Sequence, residues 1–268
     1  MSDRTLRADT LVVVPAWNEE LSVGAVVRGV VQRGYAVAVV DDGSRDDTAR
    51  EAAEAGARVL SLPINLGVGA ALRCGMRYAV SRGYRAIVQI DADGQHPVSA
   101  IDELLEAADR SGAHMVVGSR FAGGDPGMEV GRVRRLPMRF LARSASKACG
   151  TEISDATSGL RVIRSPLLEQ FAEHFPAHYL GDTYEALVSA GRSGYLVQEM
   201  QATMSEREHG TSSAGALSAV RLIARAVIVV VSRLHIKIQP LANRETIDLR
   251  RDEAPQPAAA PPRPGSAE

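Results

Sequence analysis

From residue 10 to about residue 118 the chain alternates short apolar runs with longer stretches in which apolar residues return every three or four positions. The short runs, at residues 11–14, 37–40, 58–60, 86–90 and 114–117, are rich in Val, Ile and Leu and almost continuously apolar. Runs of that kind read as strands buried on both faces. The longer stretches predict helices over residues 19–33, 47–55, 69–81 and 99–108. Strand and helix in alternation give a parallel sheet covered by helices, and the handedness of the crossovers makes it a doubly wound, Rossmann-like α/β layout. Ligands of such sheets bind beyond the carboxyl ends of the strands.

Past residue 118 the rhythm changes. A glycine-rich loop at 123–131 leads into a basic stretch, and residues 151–205 hold less regular helix and strand candidates, with no internal repeat. Residues 216–236 are apolar but carry Arg221, Arg225 and Arg233. Each arginine would cost roughly 2.5 to 3.5 kcal/mol at a bilayer centre, so a membrane span is disfavoured. The stretch reads as an amphipathic helix, lying at a membrane interface or packed on its own domain or a partner. The Pro- and Ala-rich tail beyond Asn243 is expected to be disordered. The expected organisation is a main domain at 1–214, the amphipathic segment at 215–240 and the tail at 241–268.

Composition narrows the classes. The 268 residues are 45% hydrophobic and 24% charged, enough to bury a core. Thirty-one Lys and Arg against thirty-two Asp and Glu leave a net charge of -1, which argues against nucleic acid as a partner. Cys74 and Cys149 are too few for a disulfide framework or a zinc cage and point to a reducing compartment, both as buried thiols. The first ten residues lack the apolar core of a signal peptide, so cytoplasmic residence is expected.

The strongest chemical signal is Ile90-Asp91-Ala92-Asp93-Gly94-Gln95-His96-Pro97, an apolar strand ending in two carboxylates one residue apart. In an extended chain both point to the same side and can address one hard cation, Mg²⁺ or Mn²⁺, that bridges phosphates. A polar turn capping the next helix is the plainer reading. An EF-hand is disfavoured, because the glycine falls at loop position 4 and Asp102 stands at position 12. Two neighbouring strands end in Pro15-Ala16-Trp17-Asn18-Glu19-Glu20 and Asp41-Asp42-Gly43-Ser44. Asp42 suits a ribose hydroxyl or a base N–H, and Trp17 or the backbone near Pro15 suits the base. Singly, Asn18, Ser44 and Asp46 read as helix caps; together on one sheet edge these residues favour a nucleotide pocket. Gly67-Val68-Gly69 lacks the third glycine of a dinucleotide fingerprint and reads as a tight loop at a helix start. Arg132, Arg134, Arg135, Arg139, Arg143 and Lys147 form a basic stretch free of acids, suited to diphosphate, lipid phosphate or an anionic membrane, and Arg120 follows a strand end on the ligand side.

Together with Gly118-Ser119-Arg120, residues 155–161 (Asp-Ala-Thr-Ser-Gly-Leu-Arg) and residues 207–213 (Arg-Glu-His-Gly-Thr-Ser-Ser), these motifs resemble the family 2 glycosyltransferases with the GT-A fold, in particular the polyprenyl-phosphate sugar synthases such as the dolichyl-phosphate mannose synthases. The resemblance runs from residue 11 to about residue 213. It implies that Pro15, Ala16, Trp17, Glu19 and Asp42 hold the nucleotide, that Asp91, Asp93 and Gln95 surround the metal, and that Arg120, Arg135 and Arg207 contact phosphates. Three departures stand out. Val68 replaces a lysine common in relatives, Met138 lies near where the lipid-phosphate synthases place a serine, and the paired transmembrane helices of some relatives are missing.

The reaction so implied moves a sugar with inversion from a nucleoside diphosphate sugar to a polyprenyl phosphate, with Asp93 and Arg120 in the catalytic centre. A saccharide hydroxyl as acceptor would need a base, for which Asp182 and its rival Glu185 are the candidates. A peripheral place on the inner face of the plasma membrane would suit a lipid acceptor. Two other classes compete. A nucleotidyltransferase would want a Gly-rich loop and a lysine near the first strand, and neither occurs at residues 15–20. A non-catalytic nucleotide-sugar-binding subunit would bind the donor without releasing diphosphate.

Overall fold

The computed structural model describes residues 6–119, 132–175, 182–202 and 238–241, with side chains from residue 140 in the second segment and from 183 in the third. Arg120, Arg207, the glycine-rich loop at 123–131, the apolar stretch at 216–236 and the tail beyond Asn243 lie outside the described residues.

The strands are β1 (Thr10–Ala16), β2 (Ala36–Asp41), β3 (Arg58–Ser61), β4 (Ala86–Gln89), β5 (Met115–Ser119), β6 (Arg161–Arg164) and β7 (Val197–Gln201). They form one seven-stranded sheet in the order β3-β2-β1-β4-β6-β5-β7. β1 pairs in parallel with β2 and β4, β2 with β3, and β5 with β7, while β6 runs antiparallel to both β4 and β5. The sheet is mostly parallel, as expected of the fold class, with one reversed strand in its second half.

The helices are α1 (Val23–Gln32), α2 (Thr48–Glu54), α3 (Val68–Ser81), α4 (Ala100–Ser111), α5 (Arg132–Cys149), α6 (Leu167–His174) and α7 (Asp182–Arg192). Strand residues alternate between two cores. Val12, Val14, Val37 and Val39 face α1, α2 and α4, while Leu11, Val13, Ala38 and Val40 face α3, α5, α6 and α7. Val12, Val13 and Val14 are fully buried, each burial being worth roughly 1.5 to 3 kcal/mol. Continuous apolarity in the first strand follows from helices covering both faces.

Several boundaries move for local reasons. α1 begins four residues after the predicted start, and the backbone N–H groups of Glu19 and Glu20 donate to Thr48 Oγ1 (2.8 Å) and Asp46 Oδ2 (3.2 Å), tying this turn to the start of α2. Asn18 likewise caps nothing. It sits at φ 55°, its N–H donates to Ser44 Oγ at 2.9 Å, and its Oδ1 accepts from Arg45 N–H at 2.9 Å. α4 continues to Ser111 and stops where Gly112 turns left-handed at φ 68°. The expectation of two buried cysteines is corrected: both are free and only partly buried, at the margin of the α3 to α7 layer.

Beyond β7 the chain is described again at residues 238–241, packed where β7 enters the sheet. Ile238 is buried in the core, Gln239 N–H donates to Gln170 Oε1 at 2.8 Å, Tyr195 O–H donates to Gln239 O at 3.1 Å, and Leu241 N–H donates to Ser193 O at 3.1 Å.

Candidate active site

β2, β1 and β4 are adjacent and parallel, so their carboxyl ends open on one edge. At the end of β1, Pro15 is half-buried, Ala16 is buried and Trp17 is 43% exposed. The loop after β1 is tied to the loop after β2 by the Asn18, Glu19 and Glu20 hydrogen bonds given above, and Asp47 N–H returns one to Glu20 Oε2 at 3.0 Å. Glu19 is half-buried, and its Oε2 accepts from Ser22 O–H at 2.8 Å.

β2 ends in two buried carboxylates. Asp41 Oδ1 accepts from Ser44 N–H at 3.0 Å. Asp42 accepts from Leu66 N–H through Oδ1 and from Gly67 N–H through Oδ2, both at 2.8 Å. It therefore clamps the loop between β3 and α3. Gly43 is required at this turn: its φ is +69°, and a Cβ would stand 2.5 Å from the carbonyl carbon of Ile64. Gly67 forms the N-cap of α3 at φ 94°, in line with the tight loop predicted at a helix start.

β4 ends at Gln89, and Ile90 N–H still donates to Val13 O at 3.2 Å before Asp91 begins the loop. Asp91 and Asp93 are half-buried with the buried Ala92 between them. Asp93 Oδ1 accepts from Gln95 N–H at 3.1 Å, and Gln95 is half-buried beside it. Sequence reasoning missed two neighbours. The first is His96, buried, with Nε2 3.8 Å from Asp91 Oδ2. The second is Gly159: a Cβ there would stand 2.2 Å from Asp91 Oδ2, so only glycine leaves the carboxylate its place. Gly159 belongs to the loop entering β6, the reversed strand, whose amino end therefore lies on the same edge as the carboxyl ends of β4 and β5.

Among the described residues no three His, Cys, Asp or Glu side chains converge on one point as a complete metal cage. Two half-buried carboxylates in one short loop fit a different kind of ion. Mg²⁺ and Mn²⁺ take one or two carboxylates and fill the other positions with water and substrate phosphate oxygens. The donor set and the glycine wall behind Asp91 suit that use.

The fully buried Arg161, at the start of β6, donates from Nε to Ser158 O (2.8 Å), from Nη1 to Thr183 O (2.7 Å) and from Nη2 to Ala156 O (3.0 Å), which ties the loop before β6 to the start of α7. Asp182 is the first residue of α7, and Glu185, one turn on, is half-buried. Arg135 belongs to α5. The structure thus brings Pro15, Ala16, Trp17, Glu19, Asp42, Asp91, Asp93 and Gln95 to one edge of the sheet. No described helix is long and apolar enough to cross a membrane.

Known proteins resemble this chain in sequence and in fold. The family model described as Glycosyl transferase family 2 matches residues 11–171. The chain is 33% identical over 221 residues to the polyprenol monophosphomannose synthase of Mycolicibacterium smegmatis, covering 76% of this chain and 80% of that protein. It is 29% identical over 212 residues to the undecaprenyl-phosphate mannosyltransferase of Micrococcus luteus, covering 75% and 86%. Among solved structures, glucosyl-3-phosphoglycerate synthase from Mycobacterium tuberculosis, crystallised with Mn²⁺, uridine-diphosphate-glucose and phosphoglyceric acid, superposes with a TM-score of 0.62 at 24% identity, over 85% of this chain and 82% of that one.

Proposed function

The chain belongs to glycosyl transferase family 2, and from that premise we propose that it moves a sugar from a nucleoside diphosphate sugar to a polyprenyl phosphate, with inversion at the anomeric carbon and with Mg²⁺ or Mn²⁺ bound. The observation that carries the reading is the carboxylate pair Asp91 and Asp93 at the end of β4, beside the clamped ends of β1 and β2. The named activities of the Mycolicibacterium and Micrococcus relatives support the lipid-phosphate acceptor.

In this reading Pro15, Ala16, Trp17 and Glu19 hold the nucleotide on one side and Asp42 on the other. Asp91, Asp93 and Gln95 hold the ion, which when bound supplies positive charge to the leaving diphosphate. Arg120, Arg135 and Arg207 contact the phosphates of donor and acceptor. At the reacting centre Arg120 would act on the leaving phosphate, and Asp93 would help to hold the ion. A polyprenyl phosphate is an anion at neutral pH and attacks without a strong base. Asp182 would take up a proton only for a hydroxyl acceptor. A peripheral location on the inner face of the plasma membrane follows from the lipid substrate.

The experiment is release of nucleoside diphosphate from nucleotide sugar with Mn²⁺ or Mg²⁺, with and without polyprenyl phosphate. Release should need both metal and lipid phosphate, and Asp93→Asn should lower it by at least 100-fold, about 2.7 kcal/mol of barrier. Near-wild-type turnover in that variant overturns the metal assignment. Release only with a saccharide overturns the acceptor.

A further inference from the structure

We propose that Glu199, on β7 and outside the nucleotide-binding edge, is a positioning residue that sets the orientation of Asp91 through the loop entering β6. The inference rests on the proposed ion-binding use of Asp91. Glu199 is half-buried, and its carboxylate collects three donors from one short stretch: Ser154 O–H at 2.6 Å and Asp155 N–H at 3.2 Å on Oε1, and Ser154 N–H on Oε2. From there the loop is held at each step. Asp155, itself buried, accepts from Thr157 N–H (3.1 Å) and Thr157 O–H (2.9 Å) through Oδ1. Ser158 O–H donates to Gly118 O, and its oxygen accepts from Leu160 N–H at 3.2 Å. The next residue of that stretch is Gly159, against Asp91.

The hydrogen-bond direction makes Glu199 the sink of a longer relay. Ser154 Oγ stands 3.0 Å from Ser119 Oγ, and Ser154 has a single hydroxyl proton, given to Glu199. The Ser119 hydroxyl is then the donor to Ser154, so the last residue of β5 is held by the same carboxylate. Hydrogen bonds to an ionised acceptor are about twice as strong as neutral ones. Only a carboxylate accepts on both oxygens. A glutamine of the same shape would accept on one and turn an N–H₂ toward a backbone N–H on the other.

The distance tolerance at Gly159 gives this a functional reach. Gly159 lies beside the Asp91 carboxylate with no room for a Cβ between them, so a change in the path of this loop changes the wall against which that carboxylate rests.

The test is Mn²⁺ retention by the full chain in the presence of UDP and, in parallel, GDP, read from the electron paramagnetic resonance signal of free Mn²⁺, alongside nucleotide binding without metal. Glu199→Gln should weaken Mn²⁺ retention at least fivefold while metal-free nucleotide binding stays within twofold of wild type. Ser154→Ala, which removes one donor and keeps both backbone bonds, should shift retention the same way by a smaller factor, and it decides the matter if Glu199→Gln does not fold. Retention within twofold of wild type in the folded variants, while Asp91→Asn loses the ion, overturns the inference alone. A wild-type chain that retains no Mn²⁺, or an Asp91→Asn chain that retains as much as wild type, overturns the proposed function and the inference together.

Discussion

Gly159 abuts Asp91 so closely that one added methyl would stand 2.2 Å from the carboxylate oxygen Oδ2 and 2.6 Å from its carbon. The two residues come from different loops, one entering the reversed strand β6 and the other leaving β4. Gly159→Ala must push the carboxylate from its place. The expected result is a loss of turnover of at least 100-fold, about 2.7 kcal/mol, with Mn²⁺ retention falling in parallel. Steady-state kinetics beside a thermal melt check it, since a folded protein with full activity would contradict the contact.

Asp42→Asn should damage both stability and donor binding. Each carboxylate oxygen accepts one backbone N–H, and an amide can replace only one of them. Hydrogen bonds to a charged group are worth roughly 1.5 to 3 kcal/mol each. A drop in unfolding free energy of about that size, with a raised KM for the nucleotide sugar, is expected from chemical denaturation and donor titration. Unchanged stability would show that the loop between β3 and α3 does not lean on this side chain.

His114 gives the fold a pH dependence on the acid side. Burial, and then the charge of Arg164, hold its imidazole below the ordinary value of 6.5, while Nδ1 accepts from Leu196 N–H at 3.1 Å. The unfolded chain therefore binds a proton more readily than the folded one. The stability His114 contributes is fully present above pH 6.5 and is lost as pH falls through the lower folded value. Melting temperature should decline across that window, and His114→Asn, which keeps an acceptor without a titrating ring, should flatten the decline. An identical pH profile in the variant would remove this residue as the cause.

Cys149 should be nearly inert to alkylation in the native state. Burial pushes its thiol up to about 11, and its Sγ lies 3.7 Å from Leu187 O. At pH 8 only about one molecule in a thousand carries the thiolate, against roughly a quarter for an ordinary cysteine. Iodoacetamide labelling followed by peptide mass analysis should therefore be slowed by two orders of magnitude relative to the unfolded chain. Rapid native labelling at Cys149 would contradict it.

The first half of the fold is legible because its signals are local. β1, β2 and β4 are apolar runs that can be seen alone, and each runs straight into its candidate site residues at Trp17, Asp42 and Asp91. Helix starts are less legible. The turn at Glu19 is held by Thr48, 29 residues away at the start of α2. The reversed strand hides for a related reason. β6 has arginine at both ends and only two apolar residues between them, and its pairing with β4 and β5 joins segments distant in sequence. Glu199 escaped with it, since a glutamate on a final strand carries no signal until β7 is laid in place, and Gly159, though inside the 155–161 motif, shows its contact with Asp91 only once β6 lies beside the β4 end.

Residues 238–241 act as a stopper at the foot of the sheet. Ile238 fills a socket formed with α6, α7 and the entrance to β7, and Gln170, Ser193 and Tyr195 lock the main chain over it. A chain cut anywhere upstream of Ile238 would expose that socket to water and invite aggregation that has nothing to do with lipids or sugars. Shortened versions meant to probe membrane attachment should therefore delete an internal piece within 214–236 and leave the stopper in place.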